Sequence, residues 1–506
     1  MRLATMKTMY RVLPVFGSLA LLIIAPVERA QAGSQTPSAT AGKPNILFFL
    51  ADNWAYPHAS ILGDRTVLTP AFDRLAREGV LFTHVFNASP VCSPARASIL
   101  TGRPPHQLGE AGNLWGGFPS TLRVFTGMLQ ESGYSVGFSG KPWAPGRYKE
   151  YGWAENPVGK EFKSFDDFLA ARDARQPFFY WIGNADTSLR DAFKGWCYDA
   201  DALAGLDPAS VVVPPQLPDT PEIRRDVLAY YGGVRKLDKA LGQAVESLKK
   251  AGLFDETIVV CTSDNGWQMP RGLANCYDAG SRVPLAIRWG NHLQHGRRVD
   301  EFVSGTDFTA TFLELAGLRP TAEMTSKSFL DLLLGKPSAT KRDAAFIERE
   351  RHANVRRGNL SYPMRAMRTT QFLCIRNLRP NRWPAGDPQV YFDVGDYGDV
   401  DACDAKDYLL ANMNKPEFQK YSALIFGKRP AEELYDLGKD PHQIVNIAGR
   451  PEYAAAQRQL RARLDQWMKD TADPRVNPSY DAWDRYPYYA PGVLGGRKAA
   501  EPYAPR

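Results

Sequence analysis

The stretch Asn45-Ile-Leu-Phe-Phe-Leu-Ala-Asp-Asn53 determines the class of fold. Its first seven residues are apolar apart from Asn45 and have the length of one strand. An apolar run without alternation is typical of a strand that is buried on both faces, as in a parallel sheet covered by helices. Asp52 and Asn53 follow directly, so we expect them at the carboxyl end of this strand, where open α/β sheets bind their ligands.

Three further stretches repeat this pattern of an apolar strand followed by polar residues. They are Ser135–Gly140 before Lys141, Phe178–Gly183 before Asn184, and Thr257–Thr262, which is followed after one residue by Asp264 and Asn265. A long amphipathic helix is predicted over 225–251. Strands that alternate with helices predict βαβ units, and therefore an α/β fold with a large, mostly parallel sheet.

The sequence changes character near residue 362. Beyond it lie a predicted extended strand, a Pro/Gly/Asp-rich stretch and an amphipathic helix, over 363–377, 379–404 and 453–470. We therefore predict a catalytic α/β domain over 43–365 and a smaller C-terminal α+β subdomain over 366–475. The tail, 476–506, is rich in Pro, Tyr and Gly, and we expect it to wrap the surface or to be partly disordered.

The N-terminus has the pattern of an export signal. Basic residues precede a mostly apolar run over 13–25, and Ala30-Gln-Ala32 is a small-x-small cleavage site. The apolar run is shorter than the roughly 20 residues of a membrane span. We therefore predict a signal peptide over 1–32, a flexible leader over 33–42, a periplasmic or secreted protein, and no membrane anchor after cleavage.

Composition and charge exclude several classes of protein. With 44% hydrophobic and 23% charged residues, the chain is of the ordinary globular kind. A formal net charge of +7 is too small to indicate nucleic acid as a partner. Six cysteines in 506 residues do not form a disulfide framework, and the sequence has no CxxC motif or Cys/His cluster that would indicate zinc.

The most specific pattern is Cys92-Ser-Pro-Ala-Arg96, followed by Thr101-Gly102. It matches C-x-P-x-R-x-x-x-x-T-G, in which five positions are fixed. Proline is favoured in the first turn of a helix, so we expect a helix that starts near Pro94, with Cys92 at its N-terminal end. The helix dipole would stabilise an anion bound there.

This pattern resembles the signature of the type I, formylglycine-dependent sulfatases of the alkaline phosphatase superfamily. The resemblance implies an alkaline-phosphatase-like fold with a large mixed sheet. It also implies that a formylglycine-generating enzyme oxidises Cys92 to formylglycine. In the family, the hydrated aldehyde attacks the sulfur of the substrate, and its second hydroxyl later expels sulfate, which a plain cysteine could not do.

The resemblance further implies a metal site. Asp52 and Asn53 stand where the family usually has Asp-Asp, and Asp264 and Asn265 match the family's second pair. These oxygen donors, together with the modified Cys92, suit one divalent cation, with Ca²⁺ favoured and Mg²⁺ as the alternative. Because adjacent parallel strands present their carboxyl ends together, we predict that the two pairs converge.

Two basic residues match further positions of the family. Arg96 resembles the arginine that contacts the formylglycine hydroxyl and the carboxylates of the metal site. Lys141 resembles the lysine that binds the sulfate oxygens. The segment Ser361-Tyr-Pro-Met-Arg365, with the preceding His352, looks most like the heparan N-sulfatase, or sulfamidase, branch.

Three family positions, two His and one Lys, are replaced in this chain. The replacements are Ala144, Ala185 and Leu273. General acid–base catalysis by such groups typically raises the reaction rate by about 10²–10⁴-fold. If the protein is active, another group must enter the cavity; the candidates are His352, His106 and Arg271. We expect His352 to serve as a catalytic residue, because imidazole exchanges protons near neutral pH.

The leading hypothesis is a hydrolase of sulfate esters or sulfamates, acting on a sulfated sugar or glycan. The replaced positions leave open a catalytically weak homologue that binds sulfated glycans without turning them over. A phosphodiesterase or phosphonate hydrolase of the same superfamily is the third alternative. The release of free sulfate, and a comparison of aryl sulfates with aryl phosphodiesters, would separate the three.

Overall fold

A computed structural model describes the chain over 42–189, 199–389 and 395–490. The predicted signal peptide, residues 33–41 of the leader, Cys197 and residues 491–506 of the tail lie outside these ranges. Among the described residues, no helix has the length and apolar character needed to cross a membrane. The other five cysteines are buried, and none is bonded to another described cysteine.

The larger sheet has eight strands in the order β4-β3-β5-β1-β6-β7-β2-β8. Its strands are β1 Asn45–Ala51, β2 Val80–Phe86, β3 Ser135–Gly140, β4 Lys160–Glu161, β5 Phe178–Asn184, β6 Thr257–Ser263, β7 Arg282–Arg288 and β8 Arg297–Ser304. β7 runs antiparallel to both β6 and β2, and the other neighbouring pairs are parallel. The predicted α/β fold with a large mixed sheet is thus confirmed.

β1 lies in the middle of this sheet and is buried on both faces. Its side chains alternate between two hydrophobic clusters, one on each side of the sheet. Leu47, Phe49 and Ala51 belong to the first cluster, and Ile46, Phe48 and Leu50 belong to the second. Burying each large apolar side chain contributes about 1.5–3 kcal/mol. The unbroken apolar run therefore reflects a central strand with a helical layer on either side.

Twelve α-helices are assigned among the described residues. They are α1 Pro70–Arg77, α2 Cys92–Thr101, α3 Phe125–Glu131, α4 Phe165–Ala171, α5 Ala200–Leu203, α6 Pro221–Lys250, α7 Asp278–Ser281, α8 Asp307–Leu315, α9 Leu330–Leu333, α10 Asp404–Asn412, α11 Gln419–Ile425 and α12 Ala454–Asp470. α1 and α6 contribute to one of the two clusters, and α2, α3 and α8 contribute to the other. α6 is the long helix expected over 225–251.

A smaller antiparallel sheet has the order β12-β11-β10-β9. Its strands are β9 Ala344–Arg349, β10 Met364–Thr369, β11 Phe372–Asn377 and β12 Glu432–Asp436, and α12 packs against β10 and β11. The single extended strand expected over 363–377 is instead the β10–β11 hairpin. Its turn has no Gly or Pro, and a hydrogen bond from Phe372 N to Thr369 Oγ1 (3.0 Å) closes it. The predicted boundary between 365 and 366 falls inside β10, and the division into domains stays a prediction.

The described part of the tail packs against the body of the protein. The Trp483 side chain is buried, and Tyr489 N donates to Trp115 O at 2.9 Å. These contacts hold residues 483–490 in place. The tail thereby reaches the cavity described below, where Tyr488 and Ala490 form part of the wall.

Candidate active site

The polar residues that follow the central strands lie at one edge of the large sheet. Asp52 N donates to Asn184 O at 2.8 Å, and Asp264 N donates to Ala51 O at 3.1 Å, so each ladder continues one residue beyond its strand. These bonds place Asp52 and Asp264 side by side, although more than 200 residues separate them. The structure therefore brings the two predicted acid/amide pairs together.

Two glycines allow Lys141 to enter the same edge of the sheet. Gly140 has φ +73°, and a Cβ atom built on it would lie 2.2 Å from Gly183 O. A Cβ atom on Gly183 would lie 1.8 Å from Lys141 O. Because any larger residue at either position would force the strands apart, the close approach of β3 and β5 requires glycine at both. The chain turns here so that Lys141 Nζ lies 2.6 Å from Asp52 Oδ1.

Three side chains form a compact group of possible metal ligands. One ligand atom from each of Asp52, Cys92 and Asp264 lies within 4.8 Å of the others. Asn265 Nδ2 donates to Asn53 Oδ1 at 2.5 Å, while Asn265 Oδ1 is buried and has no hydrogen-bond partner among the described residues. Buried acceptors without a partner are costly unless a cation or a donor satisfies them. Carboxylate and amide oxygens in this arrangement fit a hard divalent cation.

Two basic side chains balance the charge of the carboxylates. Arg96 Nε donates to Asp264 Oδ2 at 2.7 Å, and Arg96 also lies 3.3 Å from Asp52 Oδ1. Burial by itself would raise the pKa of Asp52, but the charges of Lys141 and Arg96 outweigh it and hold that pKa well below its usual range. Burial raises the pKa of Asp264, and the neighbouring Asp52 charge adds to the rise. A divalent cation would stabilise both carboxylates in their charged form.

Cys92 is the first residue of α2 and lies beside Asn53. Its Sγ atom is 3.8 Å from Asn53 Oδ1, and Pro94 lies in the first turn of the helix, as the sequence predicts. Burial raises the pKa of the Cys92 thiol well above its ordinary value, and the charge of Asp52 adds to this rise. Because the thiolate is the nucleophilic form of cysteine, an unmodified Cys92 is a poor nucleophile here.

Arg96 is held by contacts outside the carboxylates. Its Nη1 atom donates to the carbonyl oxygens of Lys141 (2.7 Å) and Pro142 (2.9 Å), and its guanidinium lies 5.9 Å from the ring centre of Trp181. Trp181 Nε1 also donates to Lys141 O at 3.2 Å. The loop after β3 and the arginine therefore fix one another, and the basic groups are positioned before any ligand binds.

A cavity of about 750 Å³ opens above this group. Asp52, Asn53, Cys92 and Lys141 form its floor, and the walls come from the ends of β3 and β5, the 350s segment, the loop that ends at Asp401, and the tail. Contributions from both halves of the chain enclose the site, so a ligand here would contact the large sheet and the C-terminal segments together.

His352 is the candidate that the structure places in this cavity. It is 4% exposed, and its Nδ1 atom lies 3.1 Å from Asp399 Oδ1. The ring therefore has one nitrogen fixed by a buried carboxylate, and the residue lines the cavity. This arrangement agrees with the expectation that at least one of the three candidates faces Cys92.

The other two candidates face away from the cavity. His106 Nδ1 lies 2.8 Å from Glu348 Oε2, and His106 is not among the residues that line the cavity. Arg271 Nη1 donates to Leu424 O at 2.9 Å, and its guanidinium lies 3.8 Å from the ring centre of Tyr277. Both side chains make contacts with the C-terminal part of the chain, so neither replaces a missing group in the site.

Two of the replaced positions do line the cavity. They are Ala185 and Leu273, and Pro145 lines it beside Ala144. None of these side chains can donate a hydrogen bond. The wall near Lys141 is consequently less polar than the family pattern implies.

Several residues of the site were not anticipated from the sequence. Ser188 Oγ donates to Asp52 Oδ2 and accepts from Asn53 Nδ2 at 2.5 Å. Asp399 and Asp401 lie in the Pro/Gly/Asp-rich stretch, where an aspartate ordinarily indicates a turn. A serine four residues after the end of β5 was the one available signal, because it follows a strand end that points into the site.

Comparisons with known proteins agree with this geometry. The family described as Sulfatase matches residues 44–318, and the family described as N-sulphoglucosamine sulphohydrolase, C-terminal, matches residues 271–384. The chain is 27% identical to human N-sulphoglucosamine sulphohydrolase, over 92% of this chain and 95% of the relative. It is 26% identical to an ulvan-active sulfatase from Formosa agariphila, over 85% of this chain and 76% of the relative.

A solved structure supports the fold. It is a protein in complex with its substrate D-glucosamine-2-N,6-O-disulfate, with a TM-score of 0.58 and 19% sequence identity. The match covers 85% of this chain and 99% of that chain. At this level of identity the likeness concerns the fold alone.

Proposed function

Because this chain belongs to the sulfatase family, we propose that it hydrolyses sulfate esters or sulfamates on a sulfated sugar or glycan. The observation that carries the proposal is the group of Asp52, Cys92 and Asp264, whose ligand atoms lie within 4.8 Å of one another. Arg96 and Lys141 add the positive charge that a sulfate group requires. The names of the relatives, N-sulphoglucosamine sulphohydrolase and ulvan-active sulfatase, support a sulfated sugar as substrate.

The proposal assigns the oxygen atoms of the two acid/amide pairs to one divalent cation, with Ca²⁺ favoured. The ligands would come from Asp52, Asn53, Asp264 and Asn265, with the residue at position 92. A bound cation, together with a formylglycine made from Cys92 by a formylglycine-generating enzyme, would supply an activated oxygen nucleophile. The partnerless Asn265 Oδ1 supports this assignment.

The remaining roles belong to side chains that face the cavity. Lys141, whose side chain is 21% exposed, can reach sulfate oxygens while it stays close to Asp52. Arg96 is fully buried, so it keeps the two carboxylates in place. His352 is the group that exchanges a proton with the substrate. The proposal includes export to the periplasm or the medium, directed by residues 1–32.

A second candidate is a protein that binds sulfated glycans and turns them over weakly or not at all. The apolar wall made by Ala185 and Leu273 favours it, because these positions hold proton donors and a cation in the family pattern. Such a protein would keep the charged floor of the cavity for binding. It would bind a sulfated sugar without releasing free sulfate.

Mass spectrometry of the Cys92 peptide tests the proposed mechanism. After co-expression with a formylglycine-generating enzyme, the peptide should have lost sulfur and gained the aldehyde oxygen or its hydrate. An unmodified thiol in every preparation would overturn the mechanism. The modified protein should then cleave aryl sulfates faster than aryl phosphodiesters, and the opposite preference would indicate a phosphodiesterase. Cys92→Ala is the matched inactive control for both substrates.

A further inference from the structure

Behind His352, which lines the cavity, lies a buried carboxylate that fixes its ring. Asp399 Oδ1 accepts from His352 Nδ1 and from Ala353 N, both at 3.1 Å. Asp399 Oδ2 accepts from Arg349 and Arg356, and all four side chains of this cluster are at least nine-tenths buried. Every lone-pair direction of Asp399 is thus used, and its position is set by the arginines.

This arrangement determines which nitrogen of His352 carries the proton. Burial would raise the pKa of Asp399, but the charges of Arg356 and Arg349 outweigh it and hold that pKa far below its usual range. A permanent carboxylate at Nδ1 keeps the proton on that nitrogen in the neutral ring. Nε2 then presents a lone pair, and it receives no hydrogen bond from the described residues. His352, which lines the cavity, therefore has one nitrogen free to accept a proton.

Asp401 lies two residues further along and borders the same cavity. Gln268 Nε2 donates to Asp401 Oδ2 at 2.6 Å, and Gln268 Oε1 accepts from Leu189 N at 2.6 Å, which fixes the orientation of the amide. Asp401 Oδ1 receives no hydrogen bond in the described part of the chain. Asp401 is 9% exposed, so one of its oxygens is held and the other is available to a ligand.

Burial, rather than the neighbouring charges, favours the protonated form of Asp401. Burial raises the pKa of this carboxyl. Three charged or titratable groups face it: His352 and Lys406 act to lower this pKa, and Asp399 acts to raise it. Lys406 Nζ donates to Val400 O at 2.6 Å and makes no hydrogen bond to Asp401 among the described residues. The pKa is thus lowered at Asp399 and raised at Asp401, two aspartates of the same loop. Neighbouring groups with pKa values shifted apart are typical of sites with separate acid and base roles.

We propose that Asp401 is the catalytic acid of this site and His352 its base, with Asp399 as the positioning residue. The inference rests on the proposed hydrolase function. It also accounts for the replaced positions, because the acid–base pair comes from the C-terminal wall rather than from the ends of β3 and β5. The geometry provides one proton donor and one proton acceptor in the cavity that contains Cys92.

The proton balance over a whole cycle is as follows. The bond from sulfur to the sugar oxygen, or to the nitrogen of a sulfamate, breaks, and its electron pair stays on the sugar atom. The proton of Asp401 Oδ1 moves to that atom. The new S–O bond would form to one oxygen of the hydrated formylglycine at position 92, and the proton of that hydroxyl would leave with the sulfate. As the C–O bond to that oxygen breaks, His352 Nε2 would accept the proton of the second hydroxyl, and the water that is consumed would hydrate the aldehyde again. Transfer of the proton from His352 to Asp401 restores both side chains.

A comparison of two leaving groups tests the role of Asp401. The sugar alkoxide needs a proton as it leaves, whereas nitrophenolate leaves readily without one. Asp401→Asn should therefore lower kcat on a sugar sulfate by about 10²–10⁴-fold and leave kcat on nitrophenyl sulfate almost unchanged. Activity on nitrophenyl sulfate also shows that the variant is folded. Asp407→Asn, at an exposed position in α10, is the matched control and should leave both rates unchanged.

Two results would overturn the inference in distinguishable ways. If the Asp401→Asn variant releases sulfate from the sugar substrate as fast as the wild type, or if its kcat falls equally on both substrates, the role of Asp401 alone is refuted. A wild-type protein, modified at Cys92 and supplied with Ca²⁺, that releases sulfate from neither substrate refutes the proposed function and this inference together.

The positioning role of Asp399 has a readout that does not depend on turnover. In nitrogen NMR spectra of the protein with labelled histidine, His352 should carry its proton on Nδ1 in the wild type. Asp399→Asn should shift the proton towards Nε2 and lower kcat on both substrates. An unchanged tautomer in the Asp399→Asn variant would contradict the assignment.

Discussion

Arg96 Nε lies 2.7 Å from Asp264 Oδ2, and neither side chain is exposed to solvent. Arg96 also contacts Asp52, so one guanidinium links the residues that follow two different strands. A buried ion pair is weak evidence for stability in itself, but removing one partner leaves an uncompensated charge in the interior. The position of the residues of the proposed active site and the stability of the fold therefore depend on the same contact.

Replacing this arginine should be costly. Arg96→Ala is expected to lower the free energy of unfolding by about 3–5 kcal/mol, because Asp52 and Asp264 lose their buried partner. Arg77→Ala is the surface control: its side chain is 66% exposed and pairs with Asp73, so a change below about 1 kcal/mol is expected. Urea unfolding measures both. Equal, small effects for the two variants would contradict the account.

The protein should be stabilised by a divalent cation. At a Ca²⁺ concentration 100 times its Kd, binding to the folded state adds about 2.7 kcal/mol of stability. Asp264→Asn should abolish most of the rise in Tm on adding Ca²⁺, because it removes one negative ligand. Asp166→Asn, at an exposed position in α4, should keep the rise. Thermal melts that respond to neither Ca²⁺ nor Mg²⁺ would argue against the metal site.

The fold was largely predictable because its central strands carry unambiguous patterns. The apolar run that ends at Asp52 has no alternation, and the structure places it between two helical layers. The stretches before Lys141 and Asp264 have the same form, and all three strands lie in the large parallel part of the sheet. The β10–β11 hairpin was missed because its turn, Thr369-Thr-Gln-Phe372, lacks the Gly, Pro, Asn or Asp that usually indicates one.

Loss of the lysine in the cavity should impair turnover more than folding. Lys141→Met is expected to lower kcat/KM for a sulfated sugar by about 10²–10³-fold, the usual cost of removing one group that stabilises a developing charge. Lys141→Arg should retain part of the activity, since it keeps the charge. Lys149→Met, at an exposed position eight residues later, should have no effect. Sulfate release gives the rates; an unimpaired Lys141→Met variant would remove this residue from the mechanism.

The site was predictable where its residues follow strands or match the family signature. Asp52 and Asp264 were expected to converge because the carboxyl ends of parallel strands meet at one edge, while Cys92, Arg96 and Lys141 were identified by their resemblance to family positions. The contributions of Asp399 and Asp401 were not, because they depend on how a turn-rich stretch folds back onto the cavity. Arg271 was considered as a replacement charge from its position in the sequence, but the structure uses it to bind the C-terminal backbone.

A buried carboxylate on α6 should make stability depend on pH. Asp238 accepts hydrogen bonds from Ala71 N (3.0 Å) and Phe72 N (2.8 Å) at the start of α1, and burial raises its pKa to about 6. The native state therefore binds more protons than the unfolded state between about pH 4 and 6, and stability falls as the pH rises through this range. The loss is at most about 3 kcal/mol.

Asp238→Asn isolates this effect. Asparagine has one acceptor oxygen in place of two, so one of the two amide hydrogen bonds is lost at every pH. Because asparagine has no charge, the stability of the variant relative to the wild type should still increase as the pH rises from 4 to 7. Urea unfolding at both pH values gives the difference. A wild type and a variant whose difference in unfolding free energy stays constant would contradict the assignment of a raised pKa to Asp238.

Free sulfate released from a panel of sulfated sugars tests the central claim most directly. The protein should be co-expressed with a formylglycine-generating enzyme, supplied with Ca²⁺ and compared with its Cys92→Ala variant. The account predicts sulfate release from at least one sugar by the wild type and none above background by the variant. Binding of the same sugars by the wild type, with no release of sulfate from any of them, would contradict it and identify the chain as a binding homologue.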